Sequence, residues 1–215
     1  MLFDYGPQVI ESEKERNLYF KFFAGYYFNE LIPGYKQRVE RFYKLVNENG
    51  EEYINYPHKR EMLISPKDIH ITFDLHAYLL NPNADKGELA DVLIYDQTNK
   101  TVICIEAKFL SDWNVKKDIC SNSKRIKKVA AISSNKQLIF VQILLITKAK
   151  WQNVCKRKKQ NNSSYRALHE IKDVPLIILT WDKLIDICRN DEGVRKYFKH
   201  HILRTKADFR MTYKI

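Results

Sequence analysis

Asp91, Glu106 and Lys108 sit in one stretch, ADVLIYDQTNKTVICIEAKF, residues 90–109. Two apolar runs separate the charges, and a solvated loop would hold them at far lower cost than a sheet. The runs flank the turn-like DQTNK, so a hairpin is the natural pairing. With the turn centred between Thr98 and Asn99, Tyr95 faces Val102 and Asp91 faces Glu106. Directly opposed residues have Cβ atoms ~4.5–5.5 Å apart. Alternation puts Lys108 on the face of Glu106 and turns Ala107 away. A slip of one residue would send Asp91 to the other face. Two carboxylates this close repel unless a cation lies between them. A hard divalent ion, Mg²⁺ or Mn²⁺, suits such oxygen ligands, with the Ala107 backbone carbonyl as a third. It would activate water and neutralise charge on a phosphoryl oxygen. Lys108 would orient or deprotonate that water, or stabilise the transition state. These are the parts needed to hydrolyse a phosphodiester. The plainer alternative is an exposed cross-strand charge pattern. Against it, Val102 and Cys104 share the face of Glu106 and Lys108, so only the rim of that face is charged.

The elements that must position these groups are legible from periodicity. Residues 12–31 read as a helix ended by Pro33-Gly34, and a second helix spans 35–46. DIHITFDLHAYLL alternates strictly, with Ile69, Ile71, Phe73, Leu75, Ala77 and Leu79 on one face and His70, Thr72, Asp74, His76 and Tyr78 on the other. Strands are predicted over 69–79, 91–95 and 101–109. Ser111-Asp112 suggests an N-cap for a helix to about Ile132, whose Val115, Ile119, Ile126, Val129 and Ala130 fall on one side. QLIFVQILLIT is a buried strand, KRKKQNNSS a loop, residues 165–171 a short helix and PLIILT a strand. A last helix starts near Trp181-Asp182. The chain reads as one mixed α/β domain over residues 1–215, with no internal repeat.

Asp91, fourteen intervening residues and Glu106-Ala107-Lys108, on a hairpin before a basic helix, resemble the PD-(D/E)XK nuclease superfamily. The αβββαβ core of that restriction-endonuclease-like fold, a mixed central sheet flanked by helices, corresponds to residues 12–31, 69–79, 91–95, 101–109, 113–132 and 138–146. The resemblance covers about 12–147 and leaves 148–215 as an extension. Ala90 stands where the motif is named for proline. The resemblance implies Mg²⁺-dependent cleavage of DNA, less often RNA, with Asp91 and Glu106 as metal ligands and Lys108 as catalytic lysine. It also implies a further carboxylate from the first helix, for which Glu15 and Glu30 are candidates. Glu88, three residues before Asp91, could reach the metal through water.

Charge points the same way. The net charge is +11. Between Lys108 and Lys159 fourteen basic residues face two acids, Asp112 and Asp118, so this quarter carries the whole excess. Concentrated positive charge attracts polyanions by counterion release. Lys116, Arg125 and Lys127 lie on the flanks of the basic helix. Lys117, Lys124 and Lys128 point away from its apolar side. Lys156, Arg157, Lys158 and Lys159 form a basic loop suited to phosphate contacts. His70, Asp74 and His76 read as a polar strand face, and Asn122 and Gln142 as either site residues or partners of backbone groups. The four cysteines lack zinc-ribbon spacing and read as reduced thiols of a cytoplasmic protein. No signal peptide is indicated, and the longest apolar run, residues 138–146, is far short of the ~20 a membrane helix needs. The expected partner is double-stranded DNA, with a homodimer as the simplest way to cut both strands. Two other readings stay open: a nucleic-acid-binding module without turnover, and an RNA-directed nuclease.

Overall fold

Two apolar runs that alternate about a short turn should close into a hairpin, and they do. The computed structural model describes residues 22–56, 68–77, 83, 87–108, 114–132, 138–156, 163–172 and 174–187. In chain order these form a π-helical turn Phe23–Tyr27, α1 Tyr35–Glu48, β1 Glu52–Ile54, β2 Ile69–His76, β3 Glu88–Asp96 and β4 Thr101–Lys108. A second π-helical stretch, Val115–Cys120, runs into α2 Ser121–Ile132. Then come β5 Ile139–Ile146, α3 Lys148–Lys156, α4 Ser163–His169, β6 Leu176–Thr180 and α5 Trp181–Ile187. Tyr95 pairs with Val102 and Asp96 with Thr101, the register expected for a turn between Thr98 and Asn99.

The strands make one six-stranded sheet in the order β1-β6-β5-β4-β3-β2. β2, β3 and β4 are antiparallel, β4, β5 and β6 parallel, and β1 pairs antiparallel with β6. Parallel neighbours need crossover connections. The Val115–Cys120 stretch with α2 supplies one, and α3 with α4 the other. The architecture is therefore α/β, a mixed sheet flanked by helices. Among the described residues no helix is long and apolar enough to cross a membrane.

Strand alternation sorts the core into two faces. Val92, Ile94, Ile103, Ile105, Ala107, Val141, Ile143 and Leu145 pack against aromatic side chains of the first helical turn and α1, with Trp181. On the other face Leu93, Val102, Cys104 and Phe140 meet Ile126 and Val129 of α2. Each fully buried Ile, Leu or Phe contributes about 1.5–3 kcal/mol, so a register slip that exchanged the faces would be ruinous. Gln142, alone among apolar neighbours on β5, is not a packing error. Its Oε1 accepts from the Ser123 hydroxyl and its Nε2 donates to the Ile119 carbonyl at 3.4 Å, pinning the start of α2 to the sheet.

Several expectations need correction. The alternation of residues 69–79 does not run through. Ile69, Ile71 and Phe73 pack with the aromatic core, whereas Leu75 and Ala77 pack on the α2 side. Asp74 takes a left-handed φ of 49°, and the pairing with β3 shifts between Leu75 and His76. Such a bulge re-aims the strand. β3 starts at Glu88 rather than Asp91, so Glu88 belongs to a strand and not to a loop. β1 and α3 were not expected. β1 has only three residues. α3 buries just Trp151 and Val154 within a charged segment, and it places Lys156 at a helix end instead of in a loop. The first-helix reading is met only by the π-helical turn within it. Residues 12–21, 78–80 and the 111–112 cap lie outside the described residues.

Candidate metal-binding and active site

The hairpin ladder ends at Val92 opposite Ile105. Continued by one pair, the same register sets Asp91 against Glu106. β3 and β4 part company there, and the Asp91 side chain replaces the missing backbone acceptor: its Oδ2 accepts from the Ala107 N–H at 2.6 Å. The Ala107 side chain is turned to the aromatic core, as alternation requires. Glu106 and Lys108 share the α2 face, and Lys108 Nζ lies 2.8 Å from Glu106 Oε1.

Glu106 is buried, at 8% exposure, yet both its oxygens are engaged. Lys108 holds Oε1, and Asn122 Nδ2 donates to Oε2 at 2.6 Å. Asn122, itself buried, accepts through Oδ1 from Arg125 Nη1 at 2.7 Å. The same Nη1 donates to the Glu88 carbonyl at 3.2 Å. Asn122 and Arg125 lie three apart on α2, one helical turn, so both reach the same side of the helix.

The third strand completes the site. The β2–β3 register sets Asp74 opposite Asp91. Carboxylate oxygens of Asp74, Glu88 and Asp91 all lie within 4.8 Å of one another. A row of acids thus crosses three adjacent strands, Asp74 on β2, Asp91 on β3 and Glu106 on β4, with Glu88 at its edge. Acids this close raise one another's proton affinity. Asp91 is pushed up to about 8, by burial first and then by the charge of Glu106, against the Ala107 hydrogen bond. Glu106 is also raised, by burial, with Lys108 opposing. Burial pulls the Lys108 amine down, but Glu106, Asp91 and Asp118 outweigh it, so its pKa is raised.

Hard oxygen donors at this spacing fit a divalent ion such as Mg²⁺ or Mn²⁺, which binds through a few carboxylates and keeps several waters. Asp74, Glu88 and Asp91 are the donors whose oxygens converge, and Glu106 stands beside them. No family model, no curated protein and no solved structure matches the chain.

The structure brings together Asp91, Glu106, Lys108 and Glu88 of the residues expected from the sequence. It adds Asp74, read earlier as part of a polar strand face with His70 and His76. Alternation alone sets Asp74 on the face away from Phe73, opposite Asp91, and the shift in pairing comes after it, between Leu75 and His76. Aspartate is among the few residues that tolerate the left-handed backbone found there. Asp118, whose charge acts on both Glu106 and Lys108, was counted only as a stray acid in a basic helix. Arg125, expected as a phosphate contact on the helix flank, directs its guanidinium to Asn122 and the Glu88 carbonyl. Lys127 is exposed on α2, together with Lys124 and Lys128. Lys116 lies in the π-helical stretch. Glu30 is exposed in the turn before α1, within the layer over the opposite face of the sheet, and it does not join the row. Glu15, Arg157, Lys158 and Lys159 lie outside the described residues.

Proposed function

We propose that this protein is a divalent-metal-dependent nuclease of the PD-(D/E)XK kind, hydrolysing phosphodiester bonds in DNA. One observation carries the reading. Three carboxylates converge within 4.8 Å at the end of a hairpin whose partner strand carries a buried glutamate, Glu106, paired with the half-buried Lys108. A bound Mg²⁺ or Mn²⁺ would polarise a water and offset charge on the scissile phosphate. Asp74, Glu88 and Asp91 would hold it, with Glu106 beside them. Lys108 lies 2.8 Å from Glu106 at the edge of the acids. It steadies Glu106 and offers N–H groups to a non-bridging phosphate oxygen or to the attacking water. Exposed Lys124, Lys127 and Lys128 on α2 support a polyanionic substrate, since their charge lies on the helix that lines the site.

The test is cleavage of supercoiled plasmid, duplex and single-stranded oligonucleotides and RNA with Mg²⁺, comparing wild type with Lys108→Ala. Cleavage of DNA that vanishes in EDTA and in the variant supports the reading. DNA binding by wild type without turnover on any substrate would leave the binding module as the better account. Preferential cleavage of RNA would move the substrate class.

A further inference from the structure

We infer that Asn122 is a positioning residue that sets the Glu106 carboxylate beside the acids that would hold the metal, and that it is itself set by Arg125. The inference rests on the metal-dependent reading above. The chemistry of the three groups fixes the order of the chain. A guanidinium only donates hydrogen bonds, and a carboxylate only accepts them. The residue between them must accept on one side and donate on the other. Asn122 does so with Oδ1 toward Arg125 at 2.7 Å and Nδ2 toward Glu106 at 2.6 Å. The amide orientation follows from its two neighbours, because the flipped amide would set donor against donor and acceptor against acceptor. Aspartate would place a second carboxylate against Glu106, and an apolar residue would leave Glu106 Oε2 buried without its donor.

Arg125 is in turn seated on the strand that carries the acids. It donates to the Glu88 carbonyl and lies over Gly87, where an added Cβ would fall 2.4 Å from the guanidinium carbon. Glycine at 87 thus leaves the guanidinium its seat. The chain Gly87–Arg125–Asn122–Glu106–Lys108 fastens α2 to β3 and β4 at the point where the acids converge. With Oε2 held by Asn122, Oε1 keeps Lys108, and the carboxylate cannot turn about its last bond. Outer partners of this type typically change metal affinity or activity by about 10–100-fold when removed.

Three variants test this: Asn122→Leu, Asn122→Asp and Gly87→Ala. Mn²⁺ binding to metal-free protein is measured by calorimetry, alongside kcat and KM for DNA cleavage and thermal unfolding. Both Asn122 variants are expected to bind Mn²⁺ about 10–100-fold more weakly and to lose kcat to a similar degree, with KM for DNA unchanged. Gly87→Ala displaces only the movable end of Arg125, and the expected change has the same sign and is smaller. Folded Asn122 variants with wild-type Mn²⁺ affinity and kcat would overturn the inference. Should they fail to fold, unchanged Mn²⁺ affinity in Gly87→Ala would do so. Weakened Mn²⁺ binding in a protein that cuts nothing would sink the nuclease reading and keep the positioning role. Absence of Mn²⁺ binding by wild type would sink both.

Discussion

Two of the acids on β3, Asp91 and Asp96, lie five residues apart and on opposite faces and meet opposite fates. Asp96 is fully buried, and its carboxylate is answered by its own turn: Oδ1 accepts from the Asn99 N–H at 2.9 Å and Oδ2 from the Asn99 amide at 2.7 Å. It closes the hairpin, as a turn aspartate should. Asp91, at the other end, gains a single backbone donor and faces acids on both neighbouring strands. Burial raises it to about 8. The difference teaches that burial alone does not mark a functional acid. An acid surrounded by local donors is structural, whereas one surrounded by other acids needs an ion or a proton from outside.

The sharpest way to break this contrast is to neutralise each acid in turn. Asp91→Asn is expected to lower Mg²⁺-dependent cleavage by about 10³-fold or more, through lost metal binding. Asp96→Asn is expected to keep wild-type cleavage but lose about 1–2 kcal/mol of stability, since one of its two accepted hydrogen bonds becomes a donor clash. Cleavage assays and urea unfolding of both variants check this. Equal effects at the two positions would erase the distinction.

Asp74 offers the next test, because its backbone and its carboxylate can be separated. With φ at 49°, Asp74→Gly removes the carboxylate while relieving the backbone. The expected outcome is a roughly tenfold rise in the Mg²⁺ concentration needed for half-maximal cleavage, with stability unchanged or higher by up to about 1 kcal/mol. Asp74→Ala should show the same metal defect and lose stability. A normal Mg²⁺ requirement in both would take Asp74 out of the donor set.

How much of this was readable beforehand follows from where the information lies. The β3–β4 register was legible because it is local: a short turn, residues 97–100, between two apolar runs fixes it, and continued by one pair beyond Val92 and Ile105 it sets Asp91 against Glu106. Lys108 and the turned-away Ala107 followed from the period of two. The face of Asp74 followed from alternation, but its place beside Asp91 did not, because the register of β2 on β3 is set across a connection much longer than the β3–β4 turn. Asn122 could be named but not assigned, because its role depends on how α2 docks. That docking is set by Gln142 and Ser123, nineteen residues apart. α3 escaped notice because two buried side chains in a charged segment give a weak period. The order of β5 and β6 beside β4 is a tertiary fact that no local pattern encodes.

A subtler contrast is expected in pH dependence. The folded pKa of Asp91 is raised from 3.8 to about 8, so the native state keeps a proton that the unfolded chain releases. Stability from this group is fully present below the unfolded value and is lost as pH rises toward 8. The slope is at most about 1.4 kcal/mol per pH unit, and Glu106, raised in the same direction, adds to it. Urea unfolding in EDTA from pH 5 to 8.5 should show wild type weakening with pH. Asp91→Asn should be less steep and the more stable protein at pH 8.

The smallest effect concerns the exposed face of α2. Lys127→Ala removes one cation from a surface that, on the present reading, tracks the phosphate backbone outside the metal site. Phosphate contacts position a ligand without reading its sequence, so the loss should be uniform across DNA sequences. It should appear as a few-fold weaker affinity at low salt and a salt slope shallower by about one. kcat at saturating DNA should not move, because the charge lies beyond the Asn122–Glu106–Lys108 chain. A fall in kcat with unchanged salt dependence would mean that the row of acids and the basic face of α2 are not separate parts. The contrast would then have to be redrawn, with the helix surface counted as part of the site.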